Sequence, residues 1–359
     1  MPRPPKSPKD ASLLNITNAG QTVLITGAGG CIGSALAKTI VNSGTALVVL
    51  LDHSEQNLYE IHMELNAGAS GALHVPILGD ILDHALLDEI LEKHRPDTVY
   101  HAAAFKHVPL MEENPIAVIR NNVLGTLALA KAALRNDVAR LLMISTDKAV
   151  NPHSAMGAAK RVAELVLLRF GSSRTRMSAL RLGNVKGSHG SVLPLFQQQL
   201  ERGGPLTVTH PESRRYFLSL PETVDLILAA AALGEDAGIL VPELGDPVKI
   251  VDLAKQVIRE AGRDGAAQTE IVFTALRPGD KLSEELVSAR ERTEPTGDSR
   301  LWRVKSAPIA PDALDSAVQA ISEGVRLRNL AILLEALCGI VPEYQPSQTL
   351  LSRLNPTPV

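Results

Sequence analysis

Four consecutive polar residues, Ser145 to Lys148, offer hydroxyl, acid and amine groups directly after an apolar run. Residues 140–144 predict a buried strand, so these groups stand where that strand ends. Ligands of open α/β sheets bind at the carboxyl ends of the strands. We interpret Thr146, Asp147 and Lys148 as candidate catalytic residues that exchange protons with a bound molecule. The alternative is a polar loop that only caps the next helix.

The helix that follows adds two further candidates. Met156 and Lys160 lie one helical turn apart and therefore share one face of that helix. Met156 carries a thioether, which cannot act as a base. The alternative interpretation of Lys160 is an ordinary solvated lysine.

A glycine-rich segment follows the first predicted strand, Thr22–Thr26, and opens a helix. Gly27 allows a tight turn, Gly30 lets a pyrophosphate approach the backbone, and Gly33 lets helix and strand pack closely. The phosphates of a dinucleotide then meet free N–H groups and the positive end of the helix dipole. The predicted cofactor-binding residues of this segment are Gly27, Gly29, Gly30, Cys31, Ile32 and Gly33. The alternative is an ordinary strand–helix turn that tolerates glycine.

Asp52 ends the second predicted strand, and no arginine follows it closely. An acid at this position accepts the adenosine ribose hydroxyls and repels the 2′-phosphate of NADP. The sequence therefore predicts NAD as the cofactor, with Asp52 and Ser54 in its site. Asp80 and Ile81, after the third predicted strand, are predicted adenine contacts. A solvated Asp52 that caps the following helix is the alternative.

These groups need a sheet to bring them together, and the sequence predicts one. Short aliphatic runs alternate with helical stretches, which predicts an α/β fold with a Rossmann-type doubly wound parallel sheet. The charged, Gly- and Pro-containing residues 291–300 predict a mobile loop. The predicted organisation is a flexible leader (1–20), an NAD-binding Rossmann domain (21–186, with 213–240 returning to it), a smaller interleaved substrate-binding domain (187–212 and 241–300) and a C-terminal helical extension (301–359).

Charge and composition exclude several function classes. The 36 Lys and Arg nearly balance the 39 Asp and Glu, so no global field favours nucleic acid. Two cysteines are too few for a disulfide framework, which fits a reducing cytoplasm. The longest apolar runs fall far short of the ~20 residues that span a bilayer. We therefore expect a soluble, cytoplasmic protein with no membrane span, no nucleic-acid partner and no metal.

Further motifs, taken with the glycine loop, carry a family resemblance. They are Ala102–Pro109, Ser145–Lys160 and Arg181–Val185. Together they resemble extended short-chain dehydrogenases/reductases, and most closely the bacterial UDP-N-acetylglucosamine 4,6-dehydratases of polysaccharide biosynthesis. The resemblance covers roughly residues 20–290, and residues 341–347 look like that family's C-terminal tail. Larger members carry an N-terminal membrane region, so we expect either a natural short form or an excised catalytic domain.

The resemblance, together with the positions of polar residues at strand ends, adds further site residues. Ala102, Ala103, Ala104 and Lys160 join the cofactor site. The predicted UDP-sugar contacts are Lys106, His107, Asn184, Ser191, Val192, Pro194, Thr207, Thr209, Arg215, Arg277 and Asp280. The arginines suit the diphosphate because guanidinium groups bind it through paired hydrogen bonds, and residues 207–209 suit the uracil edge through backbone groups. Asp280 stands where the family often has Glu.

The family's reaction oxidises sugar carbon 4, eliminates water across carbons 5 and 6, and returns the hydride to carbon 6. A Tyr usually takes the proton of the 4-hydroxyl, and Met156 replaces it here, as in a sub-branch that remains catalytic. Asp147 and Lys148 match the family's acid and base, which requires a lowered Lys148 pKa and a raised Asp147 pKa. Asp147, or a water assisted by Thr146, is the candidate acceptor of the first proton.

The predicted function is therefore that of an NAD-dependent hydro-lyase. It would convert UDP-N-acetylglucosamine to a UDP-4-keto-6-deoxy-hexosamine for polysaccharide or glycan biosynthesis, as a homo-oligomer. Carbon 5 is expected to retain its configuration, because Lys148 takes and returns the proton from one face and the Met-bearing branch is the retaining one. Two alternatives stay open: a nucleotide-sugar epimerase on the same fold, and a non-catalytic NAD-binding regulator that has lost its Tyr.

Overall fold

A large mixed sheet organises the part of the chain that the structure describes. The structure is a computed structural model, and it describes residues 18–68, 73–188, 190–233, 238–261 and 269–354. The strands are β1 (Thr22–Thr26), β2 (Leu47–Asp52), β3 (Leu73–Leu78), β4 (Thr98–His101), β5 (Arg140–Thr146), β6 (Arg176–Leu182), β7 (Asn184–Val185), β8 (Leu206–Val208), β9 (Arg214–Arg215), β10 (Phe217–Leu218), β11 (Ile239–Pro242), β12 (Val248–Lys249), β13 (Ile271–Phe273), β14 (Arg292–Pro295) and β15 (Leu301–Lys305). The helices are α1 (Cys31–Val41), α2 (Glu55–Ala67), α3 (His84–His94), α4 (Val108–Glu113), α5 (Pro115–Ile119), α6 (Thr126–Arg135), α7 (Ala155–Phe170), α8 (Val192–Glu201), α9 (Leu220–Ala232), α10 (Ile250–Ala261), α11 (Pro311–Arg326), α12 (Leu330–Ile340) and α13 (Gln348–Ser352).

The main sheet has the strand order β14-β15-β11-β6-β5-β4-β1-β2-β3. The seven neighbouring strands β11, β6, β5, β4, β1, β2 and β3 run parallel to one another, whereas β15 and β14 add an antiparallel edge. The order 3-2-1-4-5-6 is that of doubly wound dinucleotide-binding folds, so the predicted fold class is confirmed. Because these strands are parallel, the segments that follow them meet at one edge of the sheet.

Helices cover both faces of the main sheet. α3, α6 and α7 pack on one face, where α11 and α12 join the same apolar core. α1, α2 and α9 pack on the other face. The strands read as unbroken aliphatic runs because both of their faces are buried. A separate small core, formed by Phe196, Leu206, Val208, Ile250 and Ala254, holds α8, β8 and α10 together beside the sheet edge.

Two segments near the C-terminus differ from their prediction. Residues 291–300, predicted as a mobile loop, contain β14, and Leu301–Lys305, assigned to the helical extension, form β15 of the main sheet. All four residues of β14 are exposed because it is an edge strand, so it shows no apolar alternation. The extension is mainly helical from Pro311 onward. The division into domains stays a prediction.

The predicted leader is only partly within the described residues, because residues 1–17 lie outside them. Asn18 is buried, and its Oδ1 accepts a hydrogen bond of 3.3 Å from the Tyr100 hydroxyl. The Gly20 N–H donates to the carbonyl of Gly44 at 2.9 Å. Residues 18–20 are therefore joined to the sheet. Within the described ranges, no helix is long and apolar enough to cross a membrane.

Candidate active site

The loop between β1 and α1 requires glycine at three positions. Gly27 has a φ of 68°, and a Cβ there would lie 2.6 Å from the backbone nitrogen of Ala103. A Cβ at Gly33 would lie 2.1 Å from the carbonyl oxygen of Gly27. A Cβ at Gly29 would lie 2.5 Å from atoms of Asn57. These distances agree with the tight turn and the close helix–strand packing that the motif predicts.

Gly30 is less crowded than the other glycines of this loop. Among the described residues, a Cβ there would have one close contact, with the carbonyl oxygen of Gly27 at 3.2 Å. Gly30 is also the N-cap of α1, so the N-cap residue itself has no side chain to cap that helix end. The first N–H groups of a helix have no partner within it, and they favour an anion. This end of α1, which includes Cys31 and Ile32, fits a dinucleotide diphosphate.

Asp52 joins the glycine loop to the end of β2. Its buried carboxylate accepts hydrogen bonds of 2.9 Å from the N–H of Gly29 and of 2.9 Å from the N–H of Ser54. The cap of α2 is Ser54, whose hydroxyl accepts from the N–H of Asn57 at 3.3 Å. The alternative in which Asp52 caps this helix is therefore wrong.

The other predicted cofactor contacts lie at the same sheet edge. Asp80 is exposed, and its Oδ1 accepts a hydrogen bond of 3.0 Å from the N–H of Leu82. Ile81 is buried against Gly125, where a Cβ would lie 2.5 Å from the isoleucine side chain. The half-buried residues 102–104 follow β4 directly. Their contacts with adenine and nicotinamide stay predictions.

Lys160 is buried in α7 and is not the solvated lysine of the alternative interpretation. Its Nζ donates a hydrogen bond of 2.6 Å to the carbonyl of Ile144, near the end of β5. Burial lowers the pKa of Lys160 to about 8, although Glu164 acts in the opposite direction. Met156, one turn earlier, is also buried and belongs to the apolar core.

Asp147 and Lys148 form an ion pair directly after β5. Lys148 Nζ donates to Asp147 Oδ1 at 2.9 Å and to Asn184 Oδ1 at 3.0 Å. The Thr146 hydroxyl donates to the same Asp147 oxygen at 2.9 Å. Asp147 is fully buried, and its Oδ2 has no hydrogen-bond partner within the described part of the chain. The predicted group of hydroxyl, acid and amine is assembled, with Asn184 from the segment after β6.

The charge state of Lys148 differs from the predicted requirement. Burial lowers the pKa of Lys148, but Asp147 and then Glu284 more than offset this effect, so the pKa is raised. The prediction of a lowered Lys148 pKa is therefore wrong for this structure, which holds the side chain as an ammonium ion. The unforeseen cause is Glu284, whose Oε1 lies 3.8 Å from Lys148 Nζ.

Two predicted substrate segments, one after β4 and one before α8, contact each other. Lys106 and His107 are exposed after β4. A Cβ at Gly190 would lie 2.6 Å from Cε1 of His107, so the segment before α8 packs on that imidazole. Ser191 is the N-cap of α8, and its Oγ is buried with no hydrogen-bond partner among the residues described. The first turn of α8 contains the other two predicted contacts, Val192 and Pro194.

The predicted uracil segment is already bonded within the protein. The Gln199 side chain accepts from the N–H of Thr207 at 3.0 Å and donates to its hydroxyl at 2.7 Å. The Thr209 hydroxyl lies 3.4 Å from that of Ser213. Because the N–H of Thr207 already donates to Gln199, it is not free to form the predicted hydrogen bond to uracil.

The two predicted diphosphate arginines differ in their surroundings. The buried Arg215 donates to the carbonyls of Lys281, at 2.8 Å, and Leu282, at 3.2 Å, so it holds that segment in place. Arg277 is exposed, and its Nε lies 2.8 Å from Oδ2 of Asp280, another predicted contact. Binding of a diphosphate by either arginine stays a prediction.

A buried ion network beneath the catalytic segment was missed from the sequence. Glu164 accepts from Arg181 at 2.9 Å through both carboxylate oxygens, and from the hydroxyl of Ser145 at 2.7 Å. Arg181 also pairs with Glu291 at 2.8 Å. The available signal was an arginine within the aliphatic run 178–182, because a charge in a buried strand requires a partner. The network fixes Ser145, the residue before the candidate catalytic group.

Comparison with protein families gives one match over most of the chain. A family model described as "Polysaccharide biosynthesis protein" matches residues 23–306. The capsular polysaccharide biosynthesis protein CapD of Staphylococcus aureus is 46% identical over 285 residues, which are 79% of this chain and 47% of CapD. The chain therefore spans about half the length of that relative.

Solved structures share the fold over most of the chain. Pen from Bacillus thuringiensis has a TM-score of 0.71 and 25% identity, with 86% of this chain and 99% of Pen covered. WbmH of Bordetella bronchiseptica, solved in complex with NAD+, has a TM-score of 0.60 and 26% identity, with 74% of this chain and 88% of WbmH covered.

Proposed function

Because the chain belongs to this polysaccharide biosynthesis family of extended short-chain dehydrogenases/reductases, we propose that it is an NAD-dependent UDP-N-acetylglucosamine 4,6-dehydratase. The observation that carries the proposal is the ion pair of the buried Asp147 and the half-buried Lys148 at the end of β5, bonded to Thr146 and Asn184. An adjacent acid and amine suit an elimination, which needs one group to remove a proton and another to supply one. A cytoplasmic location and a homo-oligomer stay predictions.

The glycine loop and Asp52 support NAD as the cofactor. The uncrowded backbone of Gly30 suits a diphosphate at the end of α1, and the Asp52 carboxylate suits ribose hydroxyls. The NAD+ complex of WbmH supports the same assignment. When bound, NAD would supply the temporary acceptance of a hydride from the sugar. Lys160, which is buried one turn after Met156, is the residue that we propose to contact the bound NAD.

The proton chemistry follows from the contact within the pair. A proton that moves along the 2.9 Å hydrogen bond from Lys148 to Asp147 converts the ion pair into a neutral amine and a neutral acid. The amine then removes the proton from carbon 5, and the Asp147 acid protonates the departing 6-hydroxyl. Burial favours this neutral form because it carries no charge to desolvate. Because the pKa of Lys148 is raised, the pair rests as the ion pair, and this proton transfer must come before Lys148 can act as the base.

The test is incubation of the protein with UDP-N-acetylglucosamine and mass spectrometry of the product. We expect a product lighter by one water, and Asp147→Asn or Lys148→Ala should each slow its formation ~100-fold or more. Lys186→Ala, a change at an exposed lysine, is the matched control and should leave the rate near that of the wild type. A product of unchanged mass would indicate an epimerase, and NAD binding without turnover would indicate a regulator.

The same reaction in deuterated water tests the stereochemistry. If Lys148 removes and returns the proton from one face, deuterium enters carbon 5 with retained configuration. Ring coupling constants from NMR distinguish the two products. An inverted carbon 5 would contradict the single-face mechanism.

A further inference from the structure

We propose that Glu284 is a positioning residue for the catalytic pair, a second carboxylate that holds the Lys148 ammonium group in place. This inference rests on the proposed function and names a residue outside the predicted acid and base. Glu284 lies in the segment between β13 and β14, far along the chain from β5. Its role would be to link that segment to the site of proton transfer.

The position of Glu284 is fixed by contacts on both oxygens. The side chain is buried, with Oε1 at 3.8 Å from Lys148 Nζ and at 3.7 Å from Arg215 Nε. Its Oε2 lies 2.9 Å from Lys281 Nζ. Lys281 in turn donates to the carbonyl of Val150, which directly follows the Asp147–Ala149 turn, at 2.8 Å. Glu284 therefore lies near the Lys148 side chain of that turn, and Lys281 contacts the residue after it.

The backbone of this segment is also held. The N–H of Arg214 donates to the carbonyl of Leu282 at 2.9 Å, and Arg214 forms a bridge with Ser283. The Arg215 side chain bonds to the carbonyls of the same segment. A buried carboxylate fixed in this way is a built feature of the site, because an unpaired one would carry a large desolvation cost.

The charges around Lys148 explain why a second carboxylate is needed. Arg215 lowers the pKa of Lys148, whereas Asp147 and Glu284 raise it. Lys148, Lys281 and Arg215 together hold the pKa of Glu284 below its usual value despite burial. Among the described residues, loss of Glu284 would leave the half-buried Lys148 ammonium near Arg215 with Asp147 as its ion-pair partner. Two further titratable groups lie in this region. The pKa of Tyr216 is raised by burial and then by Asp147. The pKa of His153 is lowered by burial and then by Lys281.

Replacement of Glu284 should change the pH at which turnover falls on the alkaline side. Replacement of Glu284 by Gln removes the negative charge but keeps the shape, so the Lys148 ammonium should lose its proton at lower pH. An opposite charge at this distance typically moves a pKa by roughly one unit or more. Turnover requires one proton within the pair, so its alkaline limb should move to lower pH by a similar amount. A residue that only supported the fold would not move this limb.

The experiment measures Lys148 directly and does not depend on turnover. Side-chain ¹⁵N NMR of the full chain labelled at lysine follows the Lys148 signal with pH, and Lys148→Arg assigns that signal by its loss. We expect the titration midpoint in Glu284→Gln to fall by roughly one pH unit or more. Glu285→Gln is the matched control, because the neighbouring Glu285 is exposed and bonds to Asn151 instead, at 2.7 Å. Its midpoint should equal that of the wild type.

A Glu284→Gln midpoint equal to the wild-type value would overturn the proposal. Should Glu284→Gln fail to fold, Glu284→Asp keeps the charge but withdraws it by one methylene, and a smaller fall in the midpoint is expected. Where turnover exists, the kcat profile should show the same shift, with KM less affected. Failure of the proposed function appears separately, as a wild type that forms no dehydrated product while the NMR midpoint still responds to Glu284→Gln.

Discussion

The buried Lys160 is expected to destabilise the folded protein at neutral pH and to do so less as the pH rises. Burial lowers its pKa from 10.5 to about 8 in the folded protein. The unfolded chain keeps the higher value, so it binds more protons than the folded protein between these two pKa values. The free energy of unfolding therefore rises with pH across that window.

The size of the effect follows from the two pKa values. Their separation corresponds to about 3 kcal/mol when Lys160 is protonated in both the folded and the unfolded protein. Nearly all of this destabilisation is present at about pH 7, and about 2 kcal/mol of it is relieved by about pH 9.5. Solvent does not reduce this effect by screening the Lys160 charge, because the residue is only 4% exposed.

The assay is urea unfolding of the wild type and Lys160→Met at both pH values and one salt concentration. Met approximates the volume of Lys but does not titrate, so the difference between the two proteins isolates Lys160 from other groups. The carbonyl of Ile144 loses its partner in the variant, which costs about 1 kcal/mol at either pH. The wild type should therefore gain about 2 kcal/mol relative to the variant on going from the lower to the higher pH.

Lys186→Met serves as the control for this measurement. Lys186 is exposed, so its replacement should give a difference from the wild type that does not change with pH. If the Lys160→Met difference is also independent of pH, Lys160 keeps its ordinary pKa and the argument from burial is refuted.

Three other predictions follow from packing and charge. Gly30→Ala should weaken NAD binding at least ~10-fold in calorimetry with little loss of stability. The control is Gly339→Ala, at an exposed helix position with open space around it, which should leave NAD binding unchanged. Equal NAD affinity in the two variants would refute the placement of the NAD diphosphate beside Gly30. Met156→Ala should retain measurable turnover and lose about 2–5 kcal/mol of stability, because a buried thioether fills space but moves no proton; loss of all turnover in a folded variant would contradict this. Glu164→Gln should lower the free energy of unfolding in urea by about 3–5 kcal/mol, because it breaks a buried ion pair. Asp88→Asn breaks a surface ion pair and should lower it by less than about 1 kcal/mol. Similar losses in the two variants would show that burial does not strengthen the contribution of the Glu164 ion pair.

The sequence by itself determined the fold class, a doubly wound parallel sheet, and the glycine loop. β1 begins and ends where its aliphatic run predicts, and β5 begins at the predicted residue. These signals are local, because an aliphatic run, a turn glycine and an acid at a strand end lie within a few residues of one another. The close approach of Gly33 to Gly27 is likewise a property of a single strand–turn–helix unit.

The sequence also located the catalytic group but not its electrostatics. Thr146, Asp147 and Lys148 are adjacent in the chain, so their meeting required no tertiary information. The pKa of Lys148 is raised by Asp147 and then by Glu284, which comes from a distant segment. Electrostatic energy depends on distance in space, and separation along the chain does not encode that distance.

Only the tertiary structure decided which polar side chains are already used within the protein. Arg215 has the chemistry of a phosphate ligand, yet it bonds to the carbonyls of Lys281 and Leu282. Thr207 has the backbone of a uracil contact, yet Gln199 binds it. The same limit applies to β14, because an exposed edge strand buries no face, and its pairing with β15 is defined only by hydrogen bonds between strands.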